Sequence, residues 1–300
     1  MLVSFKFSQK LDMSVKVAVV TGSNKGIGFS IVKGLCKRFD GVVYLTSRDD
    51  ARGKAAVAQL NASGLSPQYH QLDVVDRESV LRFRDHVKKK YGGIDILVNN
   101  AAIANSAEFY NSYEENKNIV EINYKSILTI QELIYPLVRK NGRILNISSD
   151  CGHLSNIRNK YWIDRLSNKN LTLNDINEFV EWFLKKSKNG DLSQDDIADK
   201  ATFAAYRVAK VAVSALTMLQ QRELEGRNIC VNSMHPGLVR TDMTLGAGFY
   251  SADEAAETPL YLVLEAPATL KGSYVWYDRK VLDWYDYNAD YYFKTATLQK

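Results

Sequence analysis

The stretch Thr21-Gly22-Ser23-Asn24-Lys25-Gly26-Ile27-Gly28 follows an apolar run, Val17–Val20, and opens a helical pattern. That pattern places Ile27, Ile31 and Leu35 on one face of a helix. A strand, a glycine turn and a helix in this order are the context in which a glycine fingerprint binds a dinucleotide. Backbone N–H groups at the helix start attract a pyrophosphate, and glycine lets the backbone approach it closely. The sequence therefore predicts a dinucleotide site at this turn.

A second pattern begins 178 residues after the glycine stretch, where Tyr206 and Lys210 stand four residues apart. Both fall in the apolar stretch Ala201–Leu219, which we predict to be a helix. The spacing puts the phenol and the ammonium on one helix face, about 6 Å apart along the axis. We expect the cation to lower the pKa of the phenol, so that Tyr206 can act as an acid or a base near neutral pH.

Other residues typical of one enzyme family lie in order around these two patterns. They are Asn99-Asn100-Ala101-Ala102, Asn123, Ser148-Ser149, Pro236-Gly237 and Val239-Arg240-Thr241-Asp242. The ordered set resembles the short-chain dehydrogenase/reductase family, and the resemblance covers about Val15 to Trp284. Within that family the chain is similar to the NADPH-dependent carbonyl reductase branch. Six stretches carry this finer likeness: Asn24–Gly28, Gly53–Val57, Gly64–Pro67, His70–Asp73, Tyr91–Asp95 and Ala256–Pro259.

The resemblance implies hydride transfer from NADPH to a ketone, an aldehyde or a quinone, which becomes an alcohol. Tyr206 would donate the proton, while Lys210 would lower the pKa of the phenol and bind the nicotinamide ribose. Ser149 would donate a hydrogen bond to the carbonyl oxygen as charge develops there. Asn123 would hold a water that relays protons to Lys210. The family's active serine aligns with Ser149; the alternative is that Ser148 and Ser149 only end a strand.

The second predicted strand ends without the acidic residue that binds the ribose 2′-hydroxyl of NAD. Ser47 stands there, Arg48 follows at once and Arg52 comes one helical turn later. Arginine can hold a 2′-phosphate through two parallel hydrogen bonds, so we predict NADP rather than NAD. Asn24 and Lys25 add polar groups on the same side. By resemblance, the remaining cofactor contacts come from Gly22, Gly26, Ile27, Gly28, Asp73, Val74, Asn100, Tyr206, Lys210, Pro236, Gly237, Val239 and Thr241.

The same resemblance implies a substrate pocket that departs from the branch at two positions. Its residues would be Ser149, Cys151, Tyr206, His235, Leu238 and Met243. The branch commonly has a cysteine where His235 stands and an aromatic residue where Leu238 stands. We interpret His235 as a wall residue rather than a second acid. The pocket should therefore differ from those of better-known relatives, and the sequence does not identify the physiological carbonyl.

Composition points to a globular enzyme with a small-molecule carbonyl substrate and without nucleic-acid or membrane partners. The net charge of +5 is modest and spread along the 300 residues, and no apolar run approaches membrane-spanning length. Three cysteines, Cys36, Cys151 and Cys230, form no CxxC pair, which favours a reducing compartment. We therefore expect a cytoplasmic location, and we expect no metal site.

Short apolar runs alternate with helical stretches along the chain. The predicted strands are Val15–Val20, Val42–Thr46, Gln68–Leu72, Ile94–Val98, Arg143–Ile147, Asn228–Ser233 and Ser273–Trp276. The alternation predicts an α/β fold with a doubly wound parallel sheet of seven strands, the Rossmann fold, as one domain over residues 1–300. We interpret residues 1–13 as an N-terminal extension and residues 285–300 as an aromatic C-terminal extension.

A long segment separates Ser149 from Tyr206 and is unusual for the family. It holds 56 residues, and we predict a helical insertion over 152–200. The helix-start signals in it are Thr172 with Asp175, and Ser193 with Asp196. The apolar stripe of Leu173–Leu184 matches the outer apolar face of the Tyr206 helix. We expect the insertion to cover that face in place of a second subunit, which predicts a monomer. The alternative is that it only lids the pocket while the helices pair between subunits.

Three rival functions share parts of this pattern. An NADP-dependent alcohol or steroid dehydrogenase would use the same residues, because the reaction is reversible. A non-catalytic NADP(H)-binding redox sensor typically lacks the tyrosine or the lysine, whereas Tyr206 and Lys210 are both present. A phosphate-loop nucleotidase needs Gly-Lys followed by Ser or Thr, but here Lys25 precedes Gly26.

Overall fold

The computed structural model describes residues 15–104, 112–198 and 203–288. Its strands are β1 (Val17–Val20), β2 (Val42–Ser47), β3 (Gln68–Gln71), β4 (Ile94–Asn99), β5 (Val138–Ile147), β6 (Cys230–Met234), β7 (Tyr274–Val275) and β8 (Val281–Leu282). They form one sheet in the order β3-β2-β1-β4-β5-β6-β7-β8. All neighbours are parallel except β7 and β8. The doubly wound fold is confirmed, and its strand order reverses between β1 and β4.

Helices cover both faces of this sheet. In the described residues they are α1 (Gly26–Arg38), α2 (Asp50–Ala62), α3 (Arg77–Tyr91), α4 (Tyr113–Val120), α5 (Ser126–Leu133), α6 (Lys160–Leu166), α7 (Leu173–Asn189), α8 (Ala204–Leu224) and α9 (Ala252–Leu264). Strand β1 shows the arrangement: Ala18 and Val20 pack with α1, α2 and α9, while Val17 and Val19 pack with α3 and α5. Because both faces are buried, the strands have near-continuous apolar sequences.

The prediction of seven parallel strands was short by one. An eighth strand, β8, pairs antiparallel with β7 through Tyr274–Leu282 and Val275–Val281. Each of the two strands has only two residues, too few for an alternating pattern to stand out. Strand β5 also begins five residues earlier than predicted, at Val138.

The segment between β5 and α8 is helical, as predicted, but only one of its two start signals begins a helix. Thr172 caps α7 in a capping box with Asp175. Ser193 and Asp196 form a turn instead, so that part of the prediction was wrong. The Asp196 carboxylate accepts from the backbone N–H and hydroxyl of Ser193, both at 3.0 Å, and pairs with Lys186 of α7 at 2.8 Å. The hydrogen bonds between Ser193 and Asp196 thus form a turn after α7 instead of a helix start. The ion pair with Lys186, a tertiary contact, holds this turn against the end of α7.

Helix α8 is apolar on two sides and buried on both. Val208, Val211 and Ala215 are fully buried, and they share one core cluster with Phe179 and Phe183 of α7. The outward positions of α7 are polar: Asn174, Glu178, Glu181, Lys185, Lys188 and Asn189 are exposed. The amphipathic helix therefore covers the outer face of α8 and turns a charged surface to solvent.

Parts of the two predicted terminal extensions are not among the described residues. The N-terminal extension 1–13 and all of the C-terminal extension except residues 285–288 lie outside the described residues. Among the described helices, none combines the length and the apolar character needed to span a bilayer. No group of three or more His, Cys, Asp or Glu in the described ranges is placed to hold a metal ion.

Candidate active site

A groove of about 600 Å³ opens at the carboxyl ends of the strands, around the point where the strand order reverses. Thirteen of the predicted site residues line it: Gly22, Asn24, Lys25, Gly26, Ile27, Gly28, Arg48, Arg52, Asp73, Val74, Asn100, Thr241 and Met243. Ile103, Ile122, Phe203 and Leu245 also line it, although the sequence did not single them out. Pro236, Gly237, Val239, Tyr206 and Lys210 are not among the residues of this wall.

Two glycines of the loop are required by close packing against the end of β4. A Cβ atom on Gly28 would lie 2.4 Å from the Asn100 Nδ2 atom, and one on Gly22 would lie 2.8 Å from the Ala101 Cα atom. Gly22 also has φ +60°, a conformation that disfavours other residues. The Asn100 amide donates to the carbonyls of Thr21 and Gly22 at 3.0 and 3.1 Å. Asn100 thus fixes the loop that begins the groove.

The start of α1 has the properties of an anion site. Its N-cap residue, Lys25, makes no side-chain cap, and the first turn contains no acidic residue. In contrast, Asp49 caps α2 and Asp76 caps α3. The first N–H groups of α1 are therefore not satisfied by a side chain, and Gly26, which begins the helix, lines the groove. This end of the groove fits a pyrophosphate.

The basic residues expected near the ribose 2′ position differ in their partners. Arg52 pairs with Asp49 at 3.4 Å, and Lys25 pairs with Asp242 across the groove at 2.8 Å. Pairing of the arginines with Asp49 or Asp50 was an open alternative from the sequence, whereas the Lys25–Asp242 pair was not predicted. Arg48 lines the groove, and no carboxylate of the described residues forms an ion pair with it. Arg48 is therefore the cation best placed to bind a phosphate there.

Tyr206 and Lys210 lie on one face of α8, as their spacing predicted. The Lys210 Nζ atom is 5.5 Å from the centre of the Tyr206 ring. The pKa of Tyr206 is nevertheless raised, contrary to the expectation that the cation would lower it. Burial is the main cause, the negative charge of Asp150 acts in the same direction, and the Ser149 hydroxyl opposes them. Desolvation of the phenol outweighs its neighbours, and this could not be read from a four-residue spacing.

Lys210 is buried deep beside β5. Its side chain donates a 2.7 Å hydrogen bond to the carbonyl of Ile147, and only 3% of the residue is exposed. Burial lowers the pKa of Lys210 to about 8. The ammonium is therefore fixed in position, and its charge is sensitive to pH close to neutrality.

Asn123 lies in a π-helical turn, Glu121–Lys125, between α4 and α5. Turns of this kind are frequent at functional sites. The Asn123 amide donates to the carbonyl of Ile103 and accepts from its N–H, both at 2.8 Å. Both polar atoms of the side chain thus hold the segment after β4, which lines the groove. A water relay from Asn123 to Lys210 stays a prediction.

The two serines after β5 have different environments. Ser148 is buried, and its hydroxyl meets the Ser214 hydroxyl at 2.8 Å within the core. Ser149 lies beside Tyr206, and its hydroxyl donates to the Asp150 carboxylate at 2.7 Å. This placement supports the choice of Ser149 over Ser148 as the catalytic candidate. The sequence analysis did not single out Asp150, although it directly follows Ser149.

Four side chains hold the backbone of the Ser149 loop. The Tyr274 hydroxyl donates to the carbonyl of Ser149, and the Trp284 indole donates to that of Gly152 at 2.7 Å. Asn156 donates to the carbonyl of Asp150 at 2.9 Å. His235 accepts from the N–H of Asp150 at 2.8 Å. Three of the four residues that fix the loop are thus distant in sequence, and two of these, Tyr274 and Trp284, are the last along the chain.

The predicted substrate-pocket residues lie in two groups. His235 and Cys151 are beside Asp150; His235 is buried against Trp276, and burial raises the pKa of the Cys151 thiol to about 12. Cys151 therefore stays an un-ionised thiol at neutral pH, and the role of His235 as a wall residue stays a prediction. Leu238 and Met243 are half-exposed on the segment after β6.

The family model for short chain dehydrogenases matches residues 16–161 and 193–248. The chain belongs to the short-chain dehydrogenase family. Residues 162–192 of this short-chain dehydrogenase do not match the family model, and they contain α7. The helix that covers α8 is therefore an addition to the common family pattern.

Named relatives agree with this membership. The dehydrogenase is 37% identical to carbonyl reductase (NADPH) 1 of Sus scrofa over 91% of its own length and 96% of that protein. It is 38% identical to carbonyl reductase (NADPH) 3 of Mus musculus over 84% and 92%.

Solved structures of plant enzymes are also similar. Salutaridine reductase from Papaver somniferum superimposes with a TM-score of 0.80 at 30% identity, over 88% of this chain and 99% of that one. Menthone neomenthol reductase from Mentha piperita gives 0.73 at 28% identity over the same shares. The fold of this short-chain dehydrogenase is thus shared along nearly the whole length of both enzymes.

Proposed function

We propose that the protein is an NADPH-dependent carbonyl reductase that converts ketones, aldehydes or quinones to alcohols. The observation that carries the proposal is the convergence of Ser149 and Tyr206, with Lys210 fixed on the same face of α8. The named mammalian relatives are carbonyl reductases that use NADPH, which supports the same assignment.

The groove has the donors that NADPH requires. The uncapped start of α1 would hold the pyrophosphate, and Arg48 would bind the 2′-phosphate. The other predicted contacts in the wall, such as Asp73, Val74 and Thr241, would hold the adenine and nicotinamide ends. Bound there, the cofactor supplies the hydride.

The protein's own task is to place the carbonyl and to protonate its oxygen. A raised pKa keeps the proton on Tyr206 at neutral pH, which suits a donor for reduction rather than a base for oxidation. Lys210, protonated below about pH 8, offsets the negative charge that the phenol acquires when it gives up its proton. Ser149 positions the carbonyl oxygen beside the phenol.

Replacement of Tyr206 by Phe tests this assignment. The variant should lose at least 100-fold in turnover with a panel of dicarbonyls, quinones and aromatic aldehydes, followed by NADPH absorbance. NADPH affinity should stay within about threefold, because the hydroxyl and not the ring is the proton source. Tyr261→Phe on α9 is the matched control and should behave as wild type.

Two results would contradict the proposal. Turnover of Tyr206→Phe within tenfold of wild type would remove the phenol from the reaction. An enzyme that binds NADPH but reduces no carbonyl of the panel would favour the redox-sensor alternative. Faster oxidation of alcohols than reduction of the matching carbonyls at equal cofactor concentration would favour the dehydrogenase alternative.

We further propose that the chain is a single-domain cytoplasmic monomer. The polar outer surface of α7 over the apolar face of α8 supports the monomer, because no second apolar helix face is left there to pair. The lack of any CxxC pair supports a reducing compartment. All eight described strands belong to one sheet, which supports one domain.

A further inference from the structure

Asp150 places a carboxylate next to the reacting groups. Its Oδ1 atom accepts from the Ser149 hydroxyl at 2.7 Å and from the Cys151 N–H at 2.9 Å. Its charge also acts on the Tyr206 phenol. The side chain is 46% exposed, so the carboxylate is accessible to a ligand.

This carboxylate is ionised, and one of its two oxygens accepts no hydrogen bond from the described residues. Burial alone would raise the pKa of Asp150, but the proximity of His235, the Ser149 hydroxyl, the Cys151 N–H and the charge of Arg207 together hold it below its usual value. His235 is itself neutral at neutral pH, because burial lowers its pKa and its Nδ1 atom accepts from the Asp150 N–H. No lysine or arginine of the described residues forms an ion pair with Asp150, and its Oδ2 atom accepts no hydrogen bond from them.

A negative charge at this point opposes the chemistry. When Tyr206 gives up its proton, it becomes an anion beside the Asp150 carboxylate, and two like charges at close range repel. Lys210, which donates to the carbonyl of Ile147, and Arg207, whose charge acts on Asp150, offset part of this repulsion. A cation held in front of Asp150 would remove the rest.

The segment after β6 carries an exposed apolar surface. Leu238, Met243, Leu245 and Phe249, all on the segment after β6, are large hydrophobic residues that stay between 44% and 85% exposed. Such a rim suits a substrate with an apolar body. An apolar ligand body gains nothing from a carboxylate, so the negative charge of Asp150 would act on one particular polar group of the ligand.

We propose that Asp150 is a specificity-determining residue that selects carbonyl substrates carrying a protonated amine a few bonds from the carbonyl carbon. The Oδ2 atom would accept a charge-assisted hydrogen bond from the ammonium while Oδ1 holds Ser149. In this arrangement the substrate's carbonyl oxygen and the Asp150 Oδ1 atom each lie one hydrogen-bond length from the Ser149 hydroxyl. The ammonium bound at Oδ2 would therefore lie about 4–7 Å from the carbonyl oxygen. Two to four bonds span that distance. This inference rests on the proposed carbonyl reduction.

The test uses two phenyl ketones of equal shape. One carries a dimethylammonium group on the carbon β to the carbonyl carbon; the other has an isopropyl group in its place. Wild-type enzyme should prefer the cationic ketone by about 10-fold or more in kcat/KM. In Asp150→Asn the ratio should fall to within about twofold of one, and in Asp150→Glu, which keeps the charge, most of the preference should return.

The ratio separates recognition from any effect on Ser149, because both ketones need Ser149 equally. Asp40→Asn removes one exposed negative charge between α1 and β2, at the opposite edge of the sheet, and should leave the ratio unchanged. A wild-type ratio near one, or a preference that persists in Asp150→Asn, would overturn the proposal.

A binding measurement keeps this inference distinct from the reductase assignment. Calorimetry with the two corresponding alcohols and the NADP-loaded enzyme should show the same preference, and its loss in Asp150→Asn. Selective binding without reduction of either ketone would support the role of Asp150 and contradict the reductase assignment. Reduction of both ketones at equal efficiency would do the reverse.

Discussion

At the scale of single residues, burial decides how Tyr206 and Lys210 behave. Both lie where water is largely excluded, so desolvation raises the pKa of the phenol and lowers that of the ammonium. Burial shifts each group toward its neutral form, although Lys210 stays protonated below about pH 8. Tyr206 therefore holds the proton that the reaction needs. The phenolate that forms when this proton is transferred must be stabilised by neighbouring groups.

The buried Lys210 should leave a signature in stability against pH. Its pKa falls from 10.5 to about 8 on folding, so between these values the unfolded chain binds the extra proton and stability rises with pH. Below about pH 8 the buried charge costs its full penalty, roughly 3 kcal/mol. Between pH 8 and pH 10 the unfolding free energy of wild type should therefore rise relative to that of Lys210→Met. Urea unfolding at each pH measures it.

Other groups titrate in the same range, so the comparison needs a control for charge. Lys89→Met removes an exposed cation from α3. Its difference from wild type should stay flat over the same pH values. A flat difference for Lys210→Met as well would mean that Lys210 keeps its proton in the folded protein.

Arg48 should discriminate between the two nicotinamide cofactors. Arg48→Ala should raise KM for NADPH by roughly 10- to 100-fold, the scale of one lost charge-assisted hydrogen bond of about 1.5–3 kcal/mol. KM for NADH should change little, because NADH has no 2′-phosphate. Steady-state kinetics with both cofactors decide it, and equal losses would show that Arg48 has a structural role. Arg52→Ala, which removes the partner of Asp49, should have the smaller effect.

At the scale of elements, α7 acts as a cover for α8. Its side chains Phe179 and Phe183 are fully buried in the cluster that includes Val208 and Val211. Most of the stability of such a helix comes from packing of its apolar face rather than from its own propensity. Loss of a central aromatic ring should therefore weaken the helix that carries Tyr206.

Alanine substitutions along α7 should follow this order. Phe183→Ala should lower the unfolding free energy by about 3–5 kcal/mol, because it opens a cavity in the core. Thr172→Ala should lower it by about 1 kcal/mol, because it removes the N-cap. Lys185→Ala, on the exposed face, should stay within about 0.5 kcal/mol of wild type. Denaturant unfolding measures all three, and equal effects would show that α7 does not pack as described.

At the scale of the whole molecule, the covered α8 predicts the assembly state. We expect a mass near 33.9 kDa by light scattering after size exclusion at micromolar concentration. The reason is that pairing through α8 would require α7 to leave its place, exposing an apolar stripe. A stable dimer or tetramer that contacts through α8 would contradict the expectation.

The sequence predicted the parts of this molecule that are set by local pattern. The glycine loop with α1, the cap of α7 at Thr172 and the placing of Tyr206 and Lys210 all depend on neighbours within a few residues. The sequence-based predictions were wrong where contacts between distant residues determine the structure or the pKa. Ser193 carries the same signal as Thr172 but forms a turn, because Asp196 is drawn to Lys186. The pKa of Tyr206 and the contact of Ser149 with Asp150 depend on burial, which no spacing expresses.

The dependence of the Ser149 loop on Trp284 and Tyr274 also sets an order of events during translation. A ribosome adds roughly 5–20 residues per second, so the 135 residues from Ser149 to Trp284 take on the order of 10 s to synthesise. Through that interval the nascent chain has its glycine loop and its strands β1 to β4, but the serine loop lacks two of its supports. A chain released early has the glycine loop of the nucleotide groove without a finished catalytic centre.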